Sequence, residues 1–476
     1  MTSGFVTFLI FLFALGGMIF IHEFGHFIAA RWAGIEVEEF GFGFPPRAIG
    51  FWRVKGFLLF NHQRIEIPRN FDLGFDWQST LNQPATITVD QESEKYILRT
   101  MELDTEKKRA QPSAMKADHI LVDANGKVVD ELSQTVSTKE KMRIGKASGA
   151  IELQGEVNEL HLGTLFSINW LPLGGFVRPK GENDPTVPGG LASASPWKRL
   201  VVLFAGPTMN LITAVVVFSY LISSQGVPVP GSIKIDSVAE NSPAQQANIQ
   251  AGDILLAING QKVTEMSSAI AIIKENLDKP VELLVDRNGE QVTLTATPLS
   301  ARKASEGALG VGLGTPTRPA TFIESISGGF MVTGLQAASI VYLPIAMIQG
   351  AVAPSDARFV GFKGIFDMFG MAVKEDVSSR QEVSAAPAGA STPQPTNWTL
   401  NLIGILSISL GVMNLLPIPA LDGGRILFTL PEILFHKRIP PQWENTVNGI
   451  AMLLLIGLML FVNVMDFVNP AHIPIP

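Results

Sequence analysis

The sequence predicts a polytopic α-helical membrane protein with four transmembrane helices and β-rich modules set between them. Three observations predict it. Four apolar runs approach or exceed the about 20 residues a helix needs to cross a bilayer core: Phe5–Ile21, continuing helically to Trp32, then Leu200–Ser223, Trp398–Leu416 and Ile450–Val468. Charged residues fill only 17% of the 476 positions, against about 25% in an ordinary soluble chain. Lys and Arg gather on one side of the runs: Arg31, Arg47, Arg53 and Lys55 after the first, Arg178, Lys180, Lys198 and Arg199 before the second, and Arg425, Lys437 and Arg438 after the third. The positive-inside rule then puts these loops in the cytoplasm and both termini outside.

Composition excludes several function classes. The net charge of -7 argues against a nucleic-acid partner. The absence of cysteine rules out disulfide scaffolds, Cys zinc sites and Cys nucleophiles, so any metal must be held by His, Asp or Glu. The first run could be a signal peptide, but it is expected to be a membrane helix: no Lys or Arg precedes it and no small-residue cleavage site follows. Instead His22, Glu23 and His26 come directly after it.

The first helix occupies 1–34. Segments 35–61 and 163–180 form a β region, with aromatic and β-branched strands at Glu36–Phe44 and Leu165–Val177. Between them, 62–162 is an inserted soluble cytoplasmic module of α/β or β type. Asn125-Gly126 within His119–Asp130 marks a hairpin there. His62, His119 and His161 are scattered, and are expected to be surface residues. The second helix covers 198–224.

Residues 226–300 carry Ser242-Pro243-Ala244, Ala251-Gly252-Asp253-Ile254-Leu255 and Ile258-Asn259-Gly260 in order, with turn signals flanking a short apolar strand. This order resembles a bacterial PDZ domain, a fold that binds extended peptides by strand addition. Segment 320–375 is expected to be amphipathic and interfacial. Its stretch Phe330–Val352 is long and uncharged, but Gly334, Gln336, Pro344 and Gln349 interrupt it. It is expected to lie along the outer membrane surface or on the PDZ-like module. Residues 378–397 form a linker, 398–424 the third helix with its following loop, and 445–468 the fourth.

The chemistry begins at His22-Glu23-Phe24-Gly25-His26, an HExxH sequence. Positions i and i+4 share one helix face, so both imidazoles can reach one metal ion. Zinc takes two His and a carboxylate and keeps a position for water. Glu23, adjacent to the ligands, can take a proton from that water. Ionisable residues at the end of an apolar helix are costly and usually functional. Glu36, Glu38 and Glu39 are the nearest candidates for a third ligand. A better one is Asp422, in Asn414-Leu415-Leu416-Pro417-Ile418-Pro419-Ala420-Leu421-Asp422-Gly423-Gly424. There two prolines break the third helix and a Gly-rich bend follows. Asp422 could otherwise simply cap the next helix. If Asp422 is the ligand, the first and third helices must run in the same direction, which requires that Phe330–Val352 does not cross.

The two motifs together resemble the site-2 protease family of intramembrane zinc metalloproteases. Phe42-Gly43-Phe44, Pro172-Leu173-Gly174-Gly175-Phe176-Val177 and Ala205-Gly206-Pro207-Thr208-Met209-Asn210 match as well. With a PDZ-like module between helices two and three, the chain is most similar to the bacterial regulator of sigma-E protease branch. The resemblance implies zinc held by His22, His26 and Asp422. It implies Glu23 as general base and acid, and Asn414 contacting substrate or the developing oxyanion. It implies a membrane-associated β sheet that pairs with unwound substrate, and a PDZ domain that filters substrate ectodomains outside the membrane. The substrates would be transmembrane proteins, such as an anti-sigma factor or a remnant signal peptide, cut near the cytoplasmic side of a bacterial cell membrane. Three features depart from that branch: one PDZ-like module where two often occur, the 62–162 insert, and Gly361-Phe362-Lys363-Gly364-Ile365 in place of a Gly-Gly-Pro-Ile stretch. The competing readings are a membrane-anchored zincin acting on soluble peptides and a non-catalytic PDZ membrane scaffold.

Overall fold

A computed structural model of the chain describes residues 2–69, 83–92, 95–103, 150–300, 307–351, 360–385, 395 and 397–469. The chain divides into two units, one of Ala30–Pro172 with Phe176–Ala194, the other of Met1–Ala29, Leu173–Gly175 and Ser195–Pro476.

In the first of these, the end of a long helix, α1 (Thr2–Ala33), whose residues up to Ala29 belong to the second unit, gives way at Gly34 to β1 (Val37–Arg53), which pairs with β7 (Leu165–Pro179) as a two-stranded sheet. Between them, β2 (Gly56–Phe60), β3 (Gln63–Ile67), β4 (Pro84–Glu92), β5 (Lys95–Leu103) and β6 (Ala150–His161) close into a barrel in the order β2-β3-β5-β4-β6. Alternate residues point inward, so Leu58, Phe60, Ile65, Ile67, Ile87, Val89, Leu98 and Leu160 fill its interior. The inserted module is therefore a β barrel. It opens at Gly56 rather than at 62, because β2 pairs with both β3 and β6. The hairpin expected within His119–Asp130 lies outside the described residues.

The second unit is organised on α2 (Pro196–Gln225). Pro196 takes the first helical position, where a missing N–H costs nothing. After α2 comes a small sheet module. Its strands are β9 (Ile233–Val238), β10 (Ile254–Ile258), β12 (Val281–Arg287), β13 (Glu290–Ala296) and β14 (Val311–Gly314), in the order β13-β12-β10-β9-β14. The short β11 (Gln261–Lys262) pairs with β10, and β8 (Val227–Pro228) pairs with β15 (Thr317–Arg318) at the module's entry and exit. Helices α3 (Pro243–Gln246) and α4 (Met266–Glu275) complete it. Ile233, Ile235, Leu255, Ile258, Val281, Leu283 and Val285 form its core. The module runs past the expected end at 300, because Val311 to Gly314 pair with β9 and supply the edge strand.

Helix α5 (Phe322–Ile348) opens with a capping box between Thr321 and Glu324. It packs along α2, with Gly328 against Ile222 and Gly329 against Ser219 and Val215. Val332, Ala337 and Ile340 join Ala214, Phe218 and Leu221 of α2 and Ile408 and Val412 of α7 (Trp398–Leu415) in one cluster. The placement on the module is thus corrected: the close approach at Gly328 and Gly329 sets α5 against the helices. Among the described residues five helices, α5 included, are long and apolar enough to cross a membrane. Segment 320–375 is no single amphipathic stretch, since α6 (Phe362–Ala385) follows α5 and takes in residues 378–385 of the expected linker. Asp466 of α9 (Pro441–Val468) accepts hydrogen bonds from Gly361 and Gly364 N–H (2.8 and 3.1 Å) and so caps α6. Asp376 of α6 does the same for Trp398 and Thr399 (2.7 and 3.0 Å) at the start of α7. Between α7 and α9 lies α8 (Asp422–Phe435).

Candidate metal centre

Contacts along α2 fix the helix directions. His22 and His26 of α1 meet Asn210 and Val202 of α2, in that order, so α1 runs opposite to α2. Gly404, Ser407 and Gly411 of α7 meet Phe218, Asn210 and Pro207, so α7 also runs opposite to α2. Helices α1 and α7 therefore run in the same direction, as a shared metal requires.

That arrangement brings the ends of the two motifs together. His22 and His26 are buried one turn apart on α1, with their Nε2 atoms 3.2 Å from each other. Asp422 Oδ2 lies 3.1 Å from His22 Nε2 and 3.3 Å from His26 Nε2. Among the described residues this is the one group of three His, Asp or Glu side chains with metal-ligand spacing. Asp422 does not cap α8. It is the first residue of that helix after Leu421, and its carboxylate turns to the histidines. The bend that delivers it is tight. Ala420 has φ 74° and its N–H donates to Asn448 Oδ1 (3.0 Å). A Cβ on Gly423 would sit 2.0 Å from Leu416 O, and one on Gly424 2.5 Å from Ile418 O. Only glycine allows α8 to start there.

The donor set suits zinc. At zinc–nitrogen and zinc–oxygen distances of about 2.0–2.1 Å, the edge of a tetrahedral site is about 3.3 Å, and the three atoms stand 3.1 to 3.3 Å apart. Space for them is kept by Gly206 of α2: a Cβ there would come 2.4 Å from His26 Nε2 and 2.9 Å from His22 Nε2. His26 Nδ1–H donates to Val202 O at 2.7 Å, which leaves Nε2 with its lone pair. His22 Nδ1 lies 3.1 Å from Asn210 Nδ2.

Glu23 is half-buried on the same helix, beside the two histidines. The backbone of Gly175 passes close to it: a Cβ on that glycine would stand 2.9 Å from Glu23 Cβ. Asn414 lies in the last turn of α7 and is half-buried. The nearer carboxylates have other partners. Glu39 accepts two hydrogen bonds from Arg47 (3.0 and 2.9 Å) and one from Ser167 (2.7 Å). Glu36 pairs with His161 Nδ1 and with Lys180 Nζ (3.1 Å). His161 is thus no plain surface residue. It is partly buried, stacks on Phe57 and also meets Glu159 (3.1 Å). His62 is exposed, as expected, and His119 lies outside the described residues.

Sequence reasoning missed the parts that α2 contributes. Val202 O, Gly206 and Asn210 all touch the histidines, yet the run Ala205–Asn210 registers in the sequence only as a point of resemblance.

Known proteins resemble the chain over most of its length. The family model for peptidase family M50 matches residues 10–62 and 156–458. The zinc metalloprotease RasP of Oceanobacillus iheyensis is 27% identical over 96% of this chain and 97% of its own length. The regulator of sigma-W protease RasP of Bacillus subtilis is 26% identical over 96% of this chain and 97% of its own. A Clostridium perfringens protein that carries a zinc-metalloprotease name is 33% identical over 64% of this chain and 84% of its own. The solved PDZ domain of a Listeria monocytogenes SdrC-like protein covers 18% of this chain and 90% of its own, at 19% identity and a TM-score of 0.16. The chain belongs to peptidase family M50 and is a zinc metalloendopeptidase of the intramembrane type.

Proposed function

We propose that His22, His26 and Asp422 hold the zinc ion and that Glu23 moves the protons of peptide hydrolysis within transmembrane segments of other proteins. The observation that carries this reading is the meeting of three ligating atoms, 3.1 to 3.3 Å apart, among apolar helices. The metal, when bound, supplies Lewis acidity toward water and the scissile carbonyl. Glu23 takes the proton of the attacking water, whose oxygen joins the carbonyl carbon. Glu23 then returns the proton to the departing amide nitrogen as the C–N bond breaks. The Asn414 amide donates to the carbonyl oxygen as it gains charge. A helical peptide bond is shielded from attack, so the substrate must unwind first. The sheet of β1 and β7 supports strand pairing for that purpose, because its Gly174-Gly175 run brings backbone up to Ile19, Phe20 and Glu23.

The sheet module after α2 has the features of a PDZ domain. Its edge strand β14 flanks a cleft of about 720 Å³ lined by Ile270, Ile273, Leu277, Leu309 and Leu313. An extended peptide fits there, and the module as a whole would filter the ectodomains of membrane substrates. The Lys and Arg bias supports a bacterial plasma-membrane protein with termini and PDZ domain outside and the metal site toward the cytoplasmic side. Helices α5 and α6 then make no net crossing between α2 and α7, since α1 and α7 share one direction.

The test is cleavage of a model transmembrane substrate by the full chain in detergent, with zinc content measured on wild type and Asp422→Ala. The proposal expects wild type to cut within the transmembrane segment and Asp422→Ala to lose both zinc and activity. Full zinc occupancy in the variant would place the third ligand elsewhere. Cleavage only of soluble peptides would favour the membrane-anchored zincin instead.

A further inference from the structure

The geometry points to Asn210 as a positioning residue that sets the tautomer of His22 and so decides how well that imidazole binds metal. The inference rests on the ligand set proposed above. The two histidines differ in what stands behind them. His26 Nδ1 faces Val202 O, a backbone carbonyl that can only accept, so His26 is fixed with hydrogen on Nδ1 and a lone pair on Nε2. His22 Nδ1 faces the side-chain amide of Asn210, which can donate from Nδ2 or accept at Oδ1. Asn210 is fully buried on α2, and its Oδ1 is left without a partner.

An orphaned buried amide oxygen beside an imidazole has a direct explanation. With Nδ2 toward His22, the imidazole accepts at Nδ1 and carries its hydrogen on Nε2, where it donates to Asp422 Oδ2 at 3.1 Å. That arrangement leaves Oδ1 orphaned and removes the lone pair a metal needs. Turning the amide by half a rotation puts Oδ1 where Nδ2 stands. Oδ1 then accepts from Nδ1–H, and Nε2 is freed as a ligand. Turned so, the amide fixes His22 in the same tautomer that Val202 O fixes for His26. Ser407 Oγ donates to the backbone carbonyl of Asn210 at 2.9 Å, which anchors this turn of α2 independently of the amide.

The experiment measures zinc affinity of the full chain in detergent by chelator competition. A second readout is the visible spectrum of the cobalt-substituted protein, which reports ligand geometry and not turnover. Asn210→Leu, similar in size but unable to accept, should bind zinc about 10- to 100-fold more weakly and alter the cobalt spectrum. Asn210→Asp keeps the acceptor and should hold affinity at or above wild type. Ser407→Ala, which removes the neighbouring bond to the same residue's backbone, should leave affinity unchanged. Wild-type affinity and spectrum in Asn210→Leu would overturn the proposal. So would equal loss of zinc in Asn210→Asp and Asn210→Leu, since that would make the residue a matter of packing alone.

Discussion

Adding one methyl group at Gly206 should disable the metal centre without touching any ligand. The new Cβ would come 2.4 Å from His26 Nε2 and 2.9 Å from His22 Nε2, where ordinary contact begins at 3.4 Å. The shortfall at His26 is about 1 Å, several times the roughly 0.2 Å within which metal–ligand distances are held. Helix α2 cannot simply back away from α1, because α7 packs closely behind it: a Cβ on Gly411 would already stand 3.0 Å from Pro207 O. Gly206→Ala should therefore weaken zinc binding by about 100-fold, equivalent to about 2.7 kcal/mol. Gly17→Ala is the matched control. It adds the same methyl group to α1 with nothing within 4 Å, so it should keep zinc and gain about 0.5–1 kcal/mol of helix stability. Metal content after dialysis, followed by chelator competition on both variants, reads the difference. Wild-type zinc affinity in Gly206→Ala would refute the argument.

Other expectations follow from the same contacts. Asp253 is buried, accepts two hydrogen bonds from Arg287 (both 2.7 Å) and one from Gln250 N–H (2.9 Å). Asp253→Ala should destabilise the PDZ-like module by roughly 2–4 kcal/mol, seen as faster limited proteolysis between 226 and 318 in the full chain, and unchanged protection would contradict this. In the barrel unit, burial alone would raise Glu36, but the hydrogen bond from His161 and the charge of Lys180 outweigh it and hold Glu36 below its usual 4.5. The Glu36 hydrogen bond raises His161 above its usual 6.5 against opposing burial, with Glu159 adding to the rise. The stability owed to Glu36 is present above pH 4.5 and lost as pH falls through its lowered value; that owed to His161 is present below pH 6.5 and lost as pH rises through its raised value. Protease resistance of the barrel should fall on both sides of that window, and His161→Gln should remove the alkaline fall; a profile that stays unchanged in the variant would assign it to other groups. Cysteines placed singly near Ser325, at the exposed Ser327, and at Ser379, in a chain with no native cysteine, should label from the same side of the membrane, whereas labelling from opposite sides would break the shared direction of α1 and α7.

Residues close in sequence, or bound by a rule of chemistry, were legible before the fold. His22 and His26 share a helix face by spacing alone. Asp422 stood out because Pro417 and Pro419 break a helix at a depth where free backbone must have a purpose. The common direction of α1 and α7 followed from requiring one metal. What stayed hidden depends on pairing across long separations. Nothing local in Val311–Gly314 says that it will pair with Ile233–Val238. The barrel's strands alternate inward and outward, but their partners are set by closure, and β3 even pairs with β5 in parallel. The packing of α5 stayed hidden because nothing local in Gly328 and Gly329 announces the contact with α2 that they make. The roles of Gly206 and Asn210 were invisible for a related reason: each acts only on residues of another helix.

In the proposed site Glu23 carries protons and binds no metal. Glu23→Gln keeps the size of the side chain and removes its basicity, so zinc content and cleavage of a transmembrane substrate should be measured together on this one variant. Zinc occupancy should equal that of wild type, with no detectable cleavage. Appreciable turnover would show that another group moves the protons, and loss of zinc would show that Glu23 belongs to the ligand set.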